Sequence, residues 1–204
     1  MGAPLADRQS RIRGGRVGMP ALRPCGVRLA MRDADVNCCV LVMGVCGSGK
    51  SVLGERLAHE LGATFIEGDA FHAPTHVAKM AAGIALTDAD RQGWLQALAA
   101  QLAAAREQGR SVVLACSALR RRYRDALRHG APELCVVHLH GEPALLAARM
   151  AARRGHYMPA SLLDSQLATL EAPGADERAI SLDAGATPAT LVRRARAHLQ
   201  ATTA

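Results

Sequence analysis

From residue 38 onward, apolar residues fall into two alternating rhythms. Short, nearly continuous apolar runs occur at Cys38–Met43, Thr64–Glu67, Ser111–Cys116, Leu134–Leu139 and Ala179–Leu182. Runs of this length, rich in β-branched residues and bounded by Gly, Asp or Ser, predict buried strands. Between them the apolar positions spread to a period near 3.6, as at Leu53, Leu57 and Leu61. That spacing predicts helices over about Gly49–Leu61, Pro74–Ala82, Asp88–Gln108, Ala118–Arg128, Pro143–Arg153, Ala160–Leu170 and Pro188–Leu199. Asp88 is the expected N-cap of the longest helix and Gly109 its stop. Strands that alternate with helices predict an α/β fold, three layers deep (α/β/α), with a five-stranded parallel sheet. Ligands then sit outside the carboxyl ends of the strands. No segment repeats.

The junction after the first run carries the most specific chemistry. Gly44-Val45-Cys46-Gly47-Ser48-Gly49-Lys50-Ser51 fits the P-loop pattern G-x-x-x-x-G-K-[ST], and it stands between an expected strand and an expected helix. Glycines let consecutive N–H groups turn inward as an anion nest, and the helix N-terminus adds its positive end. Lys50 is placed to reach the β- and γ-phosphates, and Ser51 to ligate Mg²⁺. The bland competitor is a glycine turn that binds nothing. Cys46 contributes its backbone N–H to the loop, and its position makes the loop a target for thiol reagents.

Three further groups follow strand ends. Glu67-Gly68-Asp69 puts two acids one residue apart, so both point to one side. One could hold Mg²⁺, while the other orients or deprotonates an attacking hydroxyl; a helix-capping Asp is the competing reading. After the third strand, Cys116-Ser117-Ala118-Leu119 runs into Arg120, Arg121, Arg122, Tyr123 and Arg124. These arginines wrap a helix, so one or two at most can face a ligand. Arg149, Arg153, Arg154, Gly155 and His156 resemble a lid that brings arginine to a transferring phosphoryl group, against the plainer reading of a basic helix C-terminus. His59, His129, His138 and His140 lack metal-ligand spacing and read as surface or packing residues.

Composition narrows the classes. The chain has 204 residues, enough for one domain with a real core, and no apolar run nears a membrane span. Its net charge is +7, of which residues 1–36 supply +4 through seven Arg and three Asp. That segment, rich in Arg, Gly and Pro without apolar periodicity, reads as a disordered or artefactual N-terminal extension, with the catalytic domain over 37–204. The remaining body is mildly basic, which suits anionic small molecules. With aromatics at 2% there is little for a base-stacking platform, and no nucleic-acid partner is expected. Six cysteines without metal or disulfide-framework spacing point to reduced thiols in a cytoplasmic compartment.

From about Val40 to its C-terminus the chain resembles the bacterial gluconokinases, P-loop kinases related in fold to shikimate and nucleoside-monophosphate kinases. The likeness rests on Gly44–Ser51; Gly68-Asp69 with His72; Lys79-Met80 with Gly83; and Leu86, Asp88, Asp90-Arg91 and Trp94-Leu95. It continues through Cys116–Leu119 with Tyr123-Arg124, Arg149, Arg153, Gly155-His156-Tyr157, Gln166, and Leu170-Glu171 with Pro173–Asp176. Cys46 stands where the family usually has Ser, Val52 where Thr is common, Glu67 where Asp is frequent and Tyr157 where Phe is usual.

The resemblance implies ATP-dependent phosphorylation of the 6-hydroxyl of D-gluconate, with Mg²⁺. Nucleotide contacts would fall on Gly44, Val45, Cys46, Gly47, Ser48, Gly49, Lys50, Ser51, Val52 and Arg149. Lys50, Asp69, Arg124 and Arg153 would serve catalysis. Asp69, His72, Lys79, Arg91, Arg124 and His156 would contact gluconate, while Ser51 and Glu67 would serve the metal. A lid is expected over about residues 149–160. The family also implies a homodimer, although no self-complementary surface is visible in the sequence. The rivals are another small-molecule P-loop kinase, such as a shikimate kinase, and a non-catalytic nucleotide-binding switch. Cys116–Leu119 replaces the glycine run expected of the former.

Overall fold

The computed structural model describes residues 38–152 and 162–203. Five parallel strands, β1 (Cys39–Met43), β2 (Thr64–Glu67), β3 (Val112–Ala115), β4 (Cys135–His140) and β5 (Ala179–Asp183), form one sheet in the order β2-β3-β1-β4-β5. Chain order reverses on either side of the central β1, so a crevice opens at its carboxyl end. Val40 and Val42 of β1 face one side with Leu53, Leu57, Leu191 and Ala195. Leu41 and Met43 face the other with Trp94, Leu98, Leu102 and Leu127. A strand apolar at every position is therefore one buried on both faces.

The first face is covered by α1 (Lys50–Leu61) and α7 (Pro188–Thr203), the second by α3 (Asp88–Glu107) and α4 (Arg121–Arg128). Three shorter helices, α2 (Pro74–Ala81), α5 (Pro143–Ala152) and α6 (Leu162–Thr169), stand around the strand ends. The parallel α/β architecture expected from the apolar rhythm is the one present, with boundaries within one to three residues at most ends.

Two boundaries differ for physical reasons. Thr87, not Asp88, caps α3: its hydroxyl accepts the Asp90 N–H at 3.2 Å and Asp90 returns a bond to the Thr87 N–H at 2.9 Å. Asp88 instead accepts from Tyr123 Oη and from the Arg122 guanidinium. Helix α4 begins at Arg121, because Ala118 takes a positive φ of 39° and Arg120 is extended. No helix among the described residues is long and apolar enough to cross a membrane.

Candidate active site

The turn from β1 into α1 is shaped by glycine. Gly49, at φ 90°, is the N-cap of α1, and no side chain caps that end. The first-turn N–H groups of α1 have no intrahelical acceptor and present a positive end to the crevice. Gly47 lies so close to α5 that a Cβ there would meet Leu146 O at 2.6 Å. Ser48 is 1% exposed, yet its buried hydroxyl has no partner among the described residues. Lys50 Nζ donates to Val45 O at 3.1 Å. The first-turn N–H groups of α1, this buried hydroxyl and a lysine are donors of the kind that a polyphosphate requires.

This loop forms the floor of a cavity of about 340 Å³. Val52, Asp69, Ser117 and Arg149 stand on its walls, with Ala184–Leu191 residues at its far end. Arg149 is tied there by Nη2 donating to Ala184 O at 3.0 Å. The phosphate-loop residues Cys46 through Val52, together with Arg149, thus line one space. Val45 is buried beneath it, and Gly44 supports the loop's entry from β1. A larger, open groove of about 680 Å³ between α1 and α7 holds none of the strand-end residues.

At the end of β2, burial pushes the Glu67 carboxyl above its usual range, opposed by a hydrogen bond to Ser51. Glu67 and Ser51 therefore stand as adjacent oxygen donors at the start of α1, a pair whose chemistry fits Mg²⁺. Asp69 shares the cavity wall with Lys50 and Ser51. Beyond it, His72 stacks on Trp94 with ring centroids 4.2 Å apart, and Trp94 Nε1 is anchored on Gly68 O at 2.8 Å. Burial lowers the His72 pKa to about 4. Near neutral pH this ring is an uncharged hydrogen-bonding group, not a cation.

Arg124, expected as a substrate clamp, is bound within the protein. It is 0% exposed, with Nε and Nη2 bound to the two Glu177 oxygens at 2.6 and 2.8 Å. Its Nη1 donates to Glu171 O at 3.0 Å, and also to Ala118 O and Leu119 O. Every nitrogen of the guanidinium has an acceptor within the protein, so Arg124 ties the loop after β3 to Glu171 and Glu177. Lys79, also expected at the substrate, is likewise paired within the protein. Its ammonium binds both Asp90 oxygens at 2.9 and 3.0 Å, and it lines neither of the two site cavities.

Arg91 lies on a second cavity of about 210 Å³ with Arg120, Tyr123, Ser165 and Gln166. Its Nη1 donates to Leu86 O at 2.7 Å, and its guanidinium stands over the Tyr123 ring. Gln166 borders both cavities. It also accepts the Cys46 N–H of the phosphate loop at 2.7 Å. Arg153, His156 and most of the expected lid lie outside the described residues. The Cys46 thiol, 8% exposed and pushed up by burial, is poorly disposed to react with thiol reagents, contrary to the expectation from its position.

Sequence reasoning missed three parts of this arrangement. The Ala184–Pro188 turn carries no charged or motif residue within the cavity lining. Glu177 as the partner of Arg124, and Gln166 as the partner of Cys46, act across 53 and 120 residues. No local pattern signals either pairing.

An AAA-domain family model matches residues 39–173. A gluconokinase from Gluconobacter oxydans is 45% identical over 162 residues, covering 79% of this chain and 91% of that protein. A sugar kinase structure from Janibacter is similar at TM-score 0.78 and 48% identity, covering 81% of this chain and 95% of its own. A gluconokinase structure from Sinorhizobium meliloti is similar at TM-score 0.73 and 48% identity, covering 80% and 92%.

Proposed function

The chain belongs to the gluconokinase family, and from that membership we propose that it transfers the γ-phosphoryl group of ATP to the 6-hydroxyl of D-gluconate, giving 6-phosphogluconate and ADP. The observation that carries the reading furthest is Asp69 on the same cavity wall as Lys50, Ser51 and Ser117. A carboxylate beside the phosphate loop can hold an attacking hydroxyl in line with the γ-phosphorus and accept its proton.

The triphosphate lies on the N–H groups of Gly47 through Ser51, with Ser48 and Lys50 as side-chain donors. The adenine end extends toward Arg149 and the Ala184–Pro188 turn. Ser51 and Glu67 would hold Mg²⁺, which when bound would neutralise charge on the polyphosphate. Arg91 offers its guanidinium to the gluconate carboxylate in the second cavity, and neutral His72 offers a hydrogen bond to a hydroxyl. Arg153 and His156, which lie outside the described residues, are proposed on family grounds to contact the substrates. Both substrates are anions, in keeping with the basic balance of the chain. The free buried thiols Cys39, Cys46, Cys116 and Cys135 suit a reducing cytoplasm, and a homodimer is proposed on family grounds.

The test is coupled ADP release with gluconate, shikimate, nucleoside monophosphates or no acceptor, with and without Mg²⁺. Turnover that depends on gluconate and Mg²⁺ is expected. Turnover with shikimate alone, or hydrolysis indifferent to acceptor, would replace this reading with one of its rivals.

A further inference from the structure

Helix α6 touches the phosphate loop in two ways. Leu163 packs with Val45, Cys46, Leu119 and Leu146 in a small apolar cluster, with Leu167 against it. Between these leucines on the same turn stands Gln166, an amide where packing alone would be served by an apolar side chain. Its Oε1 accepts the Cys46 N–H at 2.7 Å. That bond is directional, so the orientation of the Cys46 peptide follows the position of α6.

The neighbouring loop residue has little freedom to absorb a shift. Gly47 is held so near Leu146 O that even a Cβ would overlap it. Rotating the Cys46 peptide therefore changes the direction of the N–H groups that follow. Gln166 also forms part of the wall of the second cavity, with Arg91, Arg120 and Tyr123. One side chain thus borders the proposed acceptor space, borders the nucleotide space and is bonded to the phosphate loop itself.

We propose that Gln166 is a positioning residue that couples occupation of the acceptor cavity to the shape of the phosphate loop, so that gluconate and ATP each raise the affinity for the other. The inference rests on the gluconokinase reading above, because it takes the second cavity as the acceptor site. A sugar acid that settles against Arg91 presses on the α6 wall and fixes the Gln166 amide. The Cys46 N–H is then held in the orientation that aims the loop at the γ-phosphate. Coupling of this kind is reciprocal and is commonly 5- to 150-fold in affinity, on the order of magnitude expected here.

The experiment measures the Kd of gluconate with and without a β,γ-imido ATP analogue, and steady-state kinetics, in the full-length chain. The variants are Gln166→Met, which keeps length and loses the acceptor oxygen, and Gln166→Asn, which keeps the amide but is one methylene too short for Cys46. In the wild type the analogue is expected to tighten gluconate at least about fivefold. Both variants should lose that ratio and drop kcat by about tenfold or more, with ADP affinity within about threefold and an unchanged melting temperature.

The inference is overturned by no coupling in the wild type, by wild-type coupling in Gln166→Met, or by a uniform loss of both affinities in step with melting temperature. An active Gln166→Asn with full coupling would also do so, because it would show that reaching Cys46 is not required. Failure of the gluconokinase reading looks different, since the wild type would then show no gluconate-dependent turnover while still binding ADP.

Discussion

The loop after β1 and the loop after β3 both end strands at the same crevice, and both are followed by basic residues. In the first, the cavity is lined by the loop residues Cys46 through Gly49 and by Lys50 and Ser51 at the N-terminus of α1. In the second, the most motif-like arginine turns inward and binds Glu177, Glu171 O and the carbonyls of its own loop. One loop is built to receive a charge from outside, and the other satisfies its charge from within. Burial separates them: a cation can serve a ligand only where its donors are not already matched by the fold.

The largest contrast is expected between Lys50 and Arg124. Lys50→Met should lower kcat by about 10³-fold or more, as loss of a cation on the transferring phosphoryl group does. Among the described residues its side chain donates to Val45 O, a single bond to the backbone, so the melting temperature should barely move. Kinetics and differential scanning fluorimetry on the same preparation check both halves. A Lys50→Met protein that is active or unfolded would break the comparison.

Arg124→Met should do the reverse. It takes from the Glu177 carboxylate, 2% exposed and held down to about 2 chiefly by its bond to Arg124, its main partner, and leaves it Arg128 Nη2 at 3.1 Å and the Gly174 N–H at 3.0 Å. Removing one partner of a buried pair typically costs about 3–5 kcal/mol. Urea unfolding should show that loss, and Arg124→Met/Glu177→Met should recover part of it. A stable Arg124→Met with a raised KM for gluconate would return Arg124 to the substrate.

The same contrast explains what was legible in the sequence. Strand and helix positions follow from local periodicity, and the phosphate loop follows from glycine conformation and an adjacent lysine. These are short-range facts about eight residues and their flanks. Arg124 and Lys79 looked equally site-like, but their roles depend on Glu177 and Asp90, which only the tertiary fold brings near. Gln166 was visible as a marker of resemblance, while its bond to Cys46 was not, because 120 residues separate them.

A third test concerns the polar interior beside Arg124. His138, on β4, is 4% exposed; its Nδ1 meets Ser181 Oγ at 3.1 Å and its Nε2 has no partner among the described residues. Burial, then the nearby His140 and Arg124 charges, lower its pKa to about 4. The unfolded chain binds this proton near pH 6.5, so its contribution to stability is full above that value and declines as pH falls toward 4. One such group removes roughly 2 kcal/mol between pH 7 and pH 5. His72, also lowered to about 4, acts in the same direction. His138→Leu should flatten the pH dependence of urea unfolding between 7 and 5 by about half, and an unchanged slope would rule out His138 as its source.

The smallest effect is expected at Lys79, and it probes the rule from the exposed side. Its ammonium is matched by Asp90, as the Arg124 guanidinium is by Glu177, but the Lys79 pair stands in solvent. Asp90 keeps its bonds to Thr87 whether or not Lys79 is present, so the α3 cap survives. Water and salt compete for both charges, so an exposed pair contributes little to stability. Lys79→Ala should leave the melting temperature within about 2 °C and the KM for gluconate within about twofold. A tenfold rise in KM with unchanged stability would mean that Lys79 exchanges Asp90 for the substrate carboxylate. An internally matched cation would then still be available to a ligand wherever its partner is solvent-exposed, which would confine the distinction between the two loops to buried pairs.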